Sequence, residues 1–226
     1  MTALKHAFSI ARKDLAVEFR TKESINAAGS FSVAILILFS FAFDPFSEAI
    51  HELSGGLLWL TFVFAGALVF NRGFSRELPN ECLDTLLASP LTPSSLLIGK
   101  AIGVFLLLVL VEIISLFVFG IFYNVRWWLH PGGLSLTCAL ATWGIAIVGS
   151  VFGALTVNLR LRELMLPVII YPILIPVLIG AIEMTNTVLA DQVFSPYEWL
   201  WAKVLLVFDI VFTSLAVALA ETILVS

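Results

Sequence analysis

The charged residues of this chain are confined to gaps between long apolar runs, and nothing else constrains its fold as much. Six runs can be read: Asn26–Phe43, Gly56–Phe74, Lys100–Tyr123, Leu134–Asn158, Leu164–Glu183 and Leu200–Ile223. Each is close to or above the roughly 20 residues a helix needs to cross about 30 Å of hydrocarbon. Lipid offers no partner for backbone N–H and C=O groups, so such runs must be helices that satisfy their own backbone. The composition agrees, with 60% hydrophobic and 12% charged residues. A water-soluble domain carries about twice that charged fraction. The expected architecture is all-α, a polytopic membrane protein with six transmembrane helices forming one membrane domain over residues 1–226.

Lys and Arg orient it. Ten of the twelve cations fall on one side: Lys5, Arg12, Lys13, Arg20, Lys22, Arg72, Arg76, Lys100, Arg160 and Arg162. Arg126 falls on the other side, and Lys203 just inside the sixth run. Positive residues stay in the cytoplasm, which puts both termini there. The net charge of −4 adds nothing to orientation, because acids weigh little in that rule. No basic patch interleaved with aromatics lies outside the runs, so a nucleic-acid partner is not expected. The first run follows a long basic segment without a small-x-small cleavage site, so it is expected to remain as a span.

The segment 3–22 is basic yet periodic. Leu4, Phe8, Ala11, Leu15 and Phe19 recur at helical steps, with Lys5, Arg12, Lys13 and Arg20 mostly off that stripe. This predicts an amphipathic interfacial helix whose cations meet anionic lipid; the alternative is a helix packed on a partner protein. The loop Asp44–Gly56 reads as a short helix, started by Asp44-Pro45 and ended by Gly55, with Phe46, Ile50 and Leu53 on one face. His51-Glu52 begins a zinc-binding pattern, but the second histidine it needs falls on Gly55, so no metal site is expected. Cys82 lies in a loop and Cys138 inside a run, at different depths, which argues against a disulfide between them.

The longest polar stretch, Arg72–Lys100, contains a short helix in 76–91. Pro79 suits its first turn, Glu81 and Asp84 favour its positive end, and Pro90 and Pro93 stop it. Leu83, Leu86 and Leu87 make an apolar patch that either a partner or the protein's own inner surface must cover. The fifth run carries Pro167, Pro172 and Pro176, each of which removes a backbone hydrogen bond, so that helix is kinked or broken unless neighbours repair it. Ser195, Pro196 and Glu198 form a capping box that fixes the start of the sixth run. Trp127, Trp128, Tyr197, Trp199 and Trp201 gather at outer span ends. An interfacial aromatic belt accounts for them; the sharper alternative is a haem-side surface of Trp127, Trp128 and His130, with the imidazole as iron ligand.

Two acids fall inside the runs. Glu112 is midway along the third, and Asp209 about a third of the way into the sixth. An unpaired acid in lipid costs several kcal/mol, so each faces the bundle or a wet cavity, either as a hydrogen-bonded structural carboxyl or as part of a polar path. Gly149-x-x-x-Gly153 predicts close helix packing. Enzyme readings fail: no Ser-His or Cys-His pair can meet at membrane depth. There is no G-x-x-x-x-G-K-[ST], so ATP-driven work requires another chain.

The basic segment with Arg12-Lys13-Asp14-Leu15 and Glu18-Phe19-Arg20 carries a resemblance. So do Glu81-x-Leu83-x-x-Leu86-Leu87-x-x-Pro90-Leu91, and Leu166-Pro167 with Leu174-Ile175-Pro176. Over essentially its full length the chain resembles the ABC-2 type permeases, and within them the CcmB family, the haem-exporter B subunit of bacterial cytochrome c maturation. The resemblance implies a homodimeric permease in the bacterial inner membrane. It implies two copies of the ATPase subunit CcmA beneath it, CcmC and CcmD alongside, and ATP-driven release of the haem-loaded chaperone CcmE. Glu77, Glu81, Leu83, Asp84, Leu86 and Leu87 then become the ATPase-coupling residues. ATP would sit on the partner subunit, haem would be the substrate, and no cofactor would be resident in this chain. Two functions remain open: a transport subunit with a path at the dimer seam, or a mechanical coupler that transports nothing. A permease of another ABC-2 export system is a third.

Overall fold

The computed structural model describes residues 2–43, 48–73, 92–125, 127–156 and 162–225. Seven helices account for nearly all of them: α1 (Thr2–Thr21), α2 (Glu23–Ala42), α3 (Glu48–Gly73), α4 (Pro93–Phe122), α5 (Pro131–Leu155), α6 (Arg162–Leu189) and α7 (Pro196–Val225), with no strand among the described residues. All but α1 contain a stretch long and apolar enough to cross a membrane. The chain is an all-helical polytopic membrane protein.

Sequence chemistry sets the helix ends. At α4, Thr92 is the N-cap: its hydroxyl accepts from the Ser95 amide and Pro93 fills the first turn, where a missing N–H costs nothing. At α7 the capping box forms as expected. The Ser195 amide donates to Glu198 Oε2 at 2.7 Å, the Ser195 hydroxyl also meets that carboxylate, and the Tyr197 amide donates back to Ser195 Oγ at 3.2 Å. The three prolines leave α6 one helix from Arg162 to Leu189, so a single helical register survives the lost backbone bonds.

Two expectations change here. Gly55 does not end a helix, because α3 runs from Glu48 through it to Gly73. The Gly55 amide instead faces Asn186 Oδ1 at 2.9 Å, and that side chain occupies the space where a Cβ would stand. A glycine at this position serves close packing, not termination. The third span also starts earlier than its apolar run. With α4 beginning at Pro93, Lys100 is two turns inside the helix and buried.

Helix α4 packs against α1, α2, α3, α5 and α7, and α5 against α3, α4, α6 and α7. Some 61% of the apolar window of α5 and 67% of that of α3 are buried within the chain, against 22% for α2 and for α7. The outward faces of α2 and α7, with Leu38, Phe41, Leu206, Val207 and Ile210 exposed, are what lipid or a neighbouring chain must cover. Gly149 makes the expected close contact: a Cβ there would stand 2.5 Å from the Phe70 ring of α3.

Candidate functional site

The short apolar and small residues of α1 allow it to dock, and they are not the residues of its strongest apolar stripe. Ala7, Ile10 and Ala11 are buried against α4, while Leu4, Phe8 and Phe19 face outward. Ala11 belongs to both sets. Gly99 lets the backbones meet, since a Cβ on it would lie 2.7 Å from the Ala7 carbonyl oxygen and 2.8 Å from Ile10 Cβ. Gly103, one turn on, faces Ala11 and Asp14. Between the two glycines, Lys100 sends its ammonium to Asp14 Oδ2 at 3.0 Å, with 3% of the lysine side chain exposed and 22% of the aspartate. Lys13 meets the other oxygen at 3.1 Å. A lysine so buried needs a counter-charge, and α1 supplies it. The outward side of α1 keeps an apolar face next to a cationic one of Lys5, Arg12 and Arg20, the arrangement of a helix lying in a membrane interface.

Glu18 continues this joint. Its Oε1 accepts from the Ser24 amide at 2.6 Å and the Ile25 amide at 3.0 Å. Those two N–H groups open α2 and lack helical partners. Lys22, the N-cap of α2, has φ 57° and makes no side-chain cap, so the acid of the preceding helix does that work across the turn. At the other end of α2 the Tyr123 hydroxyl donates to the Leu36 carbonyl at 2.9 Å, tying α2 to the end of α4.

The two acids at membrane depth lie on either side of α5. The Thr142 hydroxyl donates to Glu112 Oε1, and both residues are buried. Asp209 rests against Gly144, where a Cβ would be 2.9 Å from its Oδ1, and it is 8% exposed. Thr142 and Gly144 are separated by ~3 Å along the helix and by more than half a turn around it. The acids therefore share a depth without sharing a pocket. Four residues beyond Asp209, Thr213 accepts from Trp143 Nε1 at 3.1 Å and fastens α7 to α5.

The end opposite α1 is rich in aromatics. Trp127 packs edge-on against Phe117 and over Gly120, where a Cβ would meet its Nε1 at 2.8 Å. Trp128 is 55% exposed. His130 Nε2 pairs with Asp191 Oδ1 at 2.7 Å. The pair joins the α4–α5 connection to the α6–α7 connection. Tyr197 and Trp199 are half exposed, as a belt requires. Trp201 departs from the belt: its ring lies 3.2 Å from a Cβ built on Gly180, inside the α6–α7 contact. Nearby, Trp59 Nε1 donates to Thr185 Oγ1 at 2.8 Å and Thr187 Oγ1 to Glu198 Oε1 at 3.1 Å.

The expected coupling residues Glu77, Glu81, Leu83, Asp84, Leu86 and Leu87, together with Cys82, lie outside the described residues. The residues the sequence reading missed are Asp14, Glu18, Gly99, Lys100 and Gly103. One signal was available: Gly99-x-x-x-Gly103 repeats the small-residue spacing noticed at Gly149 and Gly153.

Six membrane-crossing helices, with an amphipathic helix docked beside them and acids buried in helix–helix contacts, define a polytopic membrane protein. The chain matches the family described as CcmB protein over residues 5–226, and it belongs to that family. It is 28% identical over 185 residues to Heme exporter protein B of Pseudomonas aeruginosa, covering 80% of this chain and 82% of that protein. Against Heme exporter protein B of Bradyrhizobium diazoefficiens the identity is 26% over 189 residues, covering 84% and 83%. Against that of Rhodobacter capsulatus it is 23% over 180 residues, covering 79% and 81%.

Proposed function

We propose that this chain is the membrane permease subunit of an ATP-driven haem-export assembly of cytochrome c maturation in the bacterial inner membrane. The observation that carries this reading is family membership over residues 5–226, with relatives named for haem export aligned across about four fifths of both lengths. The α1 end, which holds most of the cations, faces the cytoplasm together with both termini. The chain pairs with a second copy. A separate ATPase, CcmA, docks on Glu77, Glu81, Leu83, Asp84, Leu86 and Leu87, while CcmC, CcmD and the haem chaperone CcmE complete the assembly. ATP is held by the ATPase, and haem is the substrate.

A second reading, in which the chain relays the ATPase stroke without passing haem, is favoured by one observation. Glu112 and Asp209 are isolated on opposite sides of α5, so they do not line one polar path through a single copy. Under the first reading the path lies between subunits.

The test is purification of the assembly through this chain, with every accompanying subunit identified. An ATPase should co-purify with the unaltered protein and be lost from Leu83→Asp and Leu86→Asp, each of which places an unpaired charge in the contact. Equal ATPase recovery from both variants, inserted normally, would remove the coupling assignment.

A further inference from the structure

Helix α1 has three faces, and one of them docks on the rest of the chain. Ala7, Ile10, Ala11, Asp14 and Glu18 form that docked face. Leu4, Phe8 and Phe19, which are 76%, 65% and 55% exposed, form a second. Lys5, Ser9, Arg12, Ala16 and Arg20, spaced four, three, four and four residues apart and all exposed, form a third. At ~100° per residue, the apolar stripe stands about 90° from the docked face and the cationic stripe about 180° from it. Both acids of α1 are turned to the docked side. Asp14 holds Lys100 and Lys13, and Glu18 accepts from the first amides of α2. The outward side keeps Lys5, Arg12 and Arg20 with no acid of this helix beside them. Lys13 is engaged by Asp14 and is not counted with these three.

We infer that the outward side of α1 is a binding surface for anionic phospholipid. Its apolar stripe enters the acyl chains, and Lys5, Arg12 and Arg20 meet the phosphates of the surrounding headgroups. Two attachments set the depth at which this happens. The helix meets α4 at Gly99 and Gly103, near the start of α4, and one residue, Lys22, separates it from the start of α2. Both are ends of membrane-crossing helices, where headgroups lie. Long basic side chains reach headgroup phosphates while their stems lie along apolar surface, and each such cation adds to the attraction of an anionic leaflet. A protein partner would have to offer an apolar groove to one quarter of the helix and acids to the next. A bilayer already offers acyl chains and phosphates in that order at that depth. The charge of the third face therefore selects the lipid: neutral headgroups satisfy the apolar stripe and leave the three cations without a counter-charge. The inference needs the membrane-spanning bundle alone and stands apart from the haem-export reading.

The experiment follows amide hydrogen exchange of the full chain, with whatever subunits accompany it, in lipid nanodiscs. One set holds phosphatidylcholine alone, and the other includes about one third phosphatidylglycerol. Peptides from α1 should exchange about ten-fold more slowly in the anionic discs, and peptides from α4 equally in both. The combined variant Lys5→Gln, Arg12→Gln, Arg20→Gln should abolish that difference while α4 exchanges as before. The charge-keeping variant Lys5→Arg, Arg12→Lys, Arg20→Lys should retain it. NaCl at about 0.5 M should shrink it, because surface charges are then screened. Inorganic phosphate added to the neutral discs should leave α1 unchanged. Equal exchange of α1 in the two lipids overturns the inference and leaves the cationic face to an acidic protein. A difference that survives the glutamine variant places the anionic lipid elsewhere and overturns it too. Slowing by inorganic phosphate in neutral discs makes the face a site for free anions and overturns the assignment to the bilayer. The haem-export reading stands or falls separately, on the subunits recovered with the chain.

Discussion

At the α1 end, helix is held to helix by the buried pair of Lys100 on Asp14, by the approach of Gly99 to the Ala7 carbonyl and by the Glu18 carboxylate on the first amides of α2. At the opposite end the same task is divided among several hydrogen bonds and ring edges, including Trp59–Thr185, Tyr123–Leu36, Thr187 on the partly exposed Glu198 carboxylate and Trp127 against Phe117. The contrast teaches where the molecule tolerates change. A neutral hydrogen bond contributes about 1 kcal/mol net, and its neighbours remain when it is lost. A buried lysine stripped of its carboxylate leaves a charge in a poor medium, and the penalty is several-fold larger. Damage is therefore concentrated at the α1 end and diluted at the aromatic end.

The largest expected effect comes from Gly99→Leu. The new side chain must enter space held by the Ala7 carbonyl and Ile10, and backbone cannot rotate away as a side chain does. We expect α1 to be displaced at a cost of about 3 kcal/mol, read as a lowered thermal midpoint in detergent and as rapid tryptic cleavage at Arg12 or Lys13. A variant as resistant as the parent would show that α1 is not held there.

Asp14→Asn ranks next. Full burial of both partners would argue for a loss of about 3 kcal/mol or more, but the aspartate keeps 22% exposure, and solvent reduces the loss to about 2 kcal/mol. The exchanged pair Asp14→Lys with Lys100→Asp should recover at least half of that in the same melting measurement. An exchanged protein no better than its worse single variant would mean that the contact is geometric and the charges incidental.

Trp59→Phe removes the Nε1 donor to Thr185 together with part of a fully buried ring system, so about 1.5 kcal/mol should be lost. His130→Ala should cost less, under about 0.5 kcal/mol, because the pair with Asp191 is open to water on both sides. If either variant destabilised the protein as much as Asp14→Asn, measured by the same melts, the contrast between the two ends would fail.

How far the sequence carries this picture differs with the range of the interaction. The six apolar helices, the Ser195–Glu198 box and the close packing at Gly149 depend on neighbours in sequence or on a residue's own size, and each was legible. Lys100 was not. A lysine heading an apolar run reads as a headgroup cation, and only the arrival of Asp14, from a helix at the far end of the sequence, makes it a buried ion. Helix α1 shows a related limit. Its apolar stripe stands out by hydrophobicity, but docking selects by size, so Ala7 and Ala11 approach Gly99 and Gly103 while Leu4 and Phe8 stay outside. The Gly55 misreading has the same origin: glycine signals both helix ends and close approaches, and the Asn186 side chain that decides between them is remote in sequence. Asp209 was legible as a buried acid, but its common depth with Glu112 emerges only when α5 is placed between them.

The proposed function turns on which end faces the cytoplasm, because the α1–α4 joint and the cationic face of α1 belong to one end. Val193 in the α6–α7 connection is 79% exposed, and Ser9 is exposed on α1. With Cys82 and Cys138 replaced by serine, Val193→Cys should react with a membrane-impermeant maleimide applied to intact spheroplasts, and Ser9→Cys only after they are lysed. The opposite pattern, with Ser9→Cys labelled from outside and Val193→Cys protected until lysis, would place the α1–α4 joint away from any cytoplasmic ATPase and contradict the account.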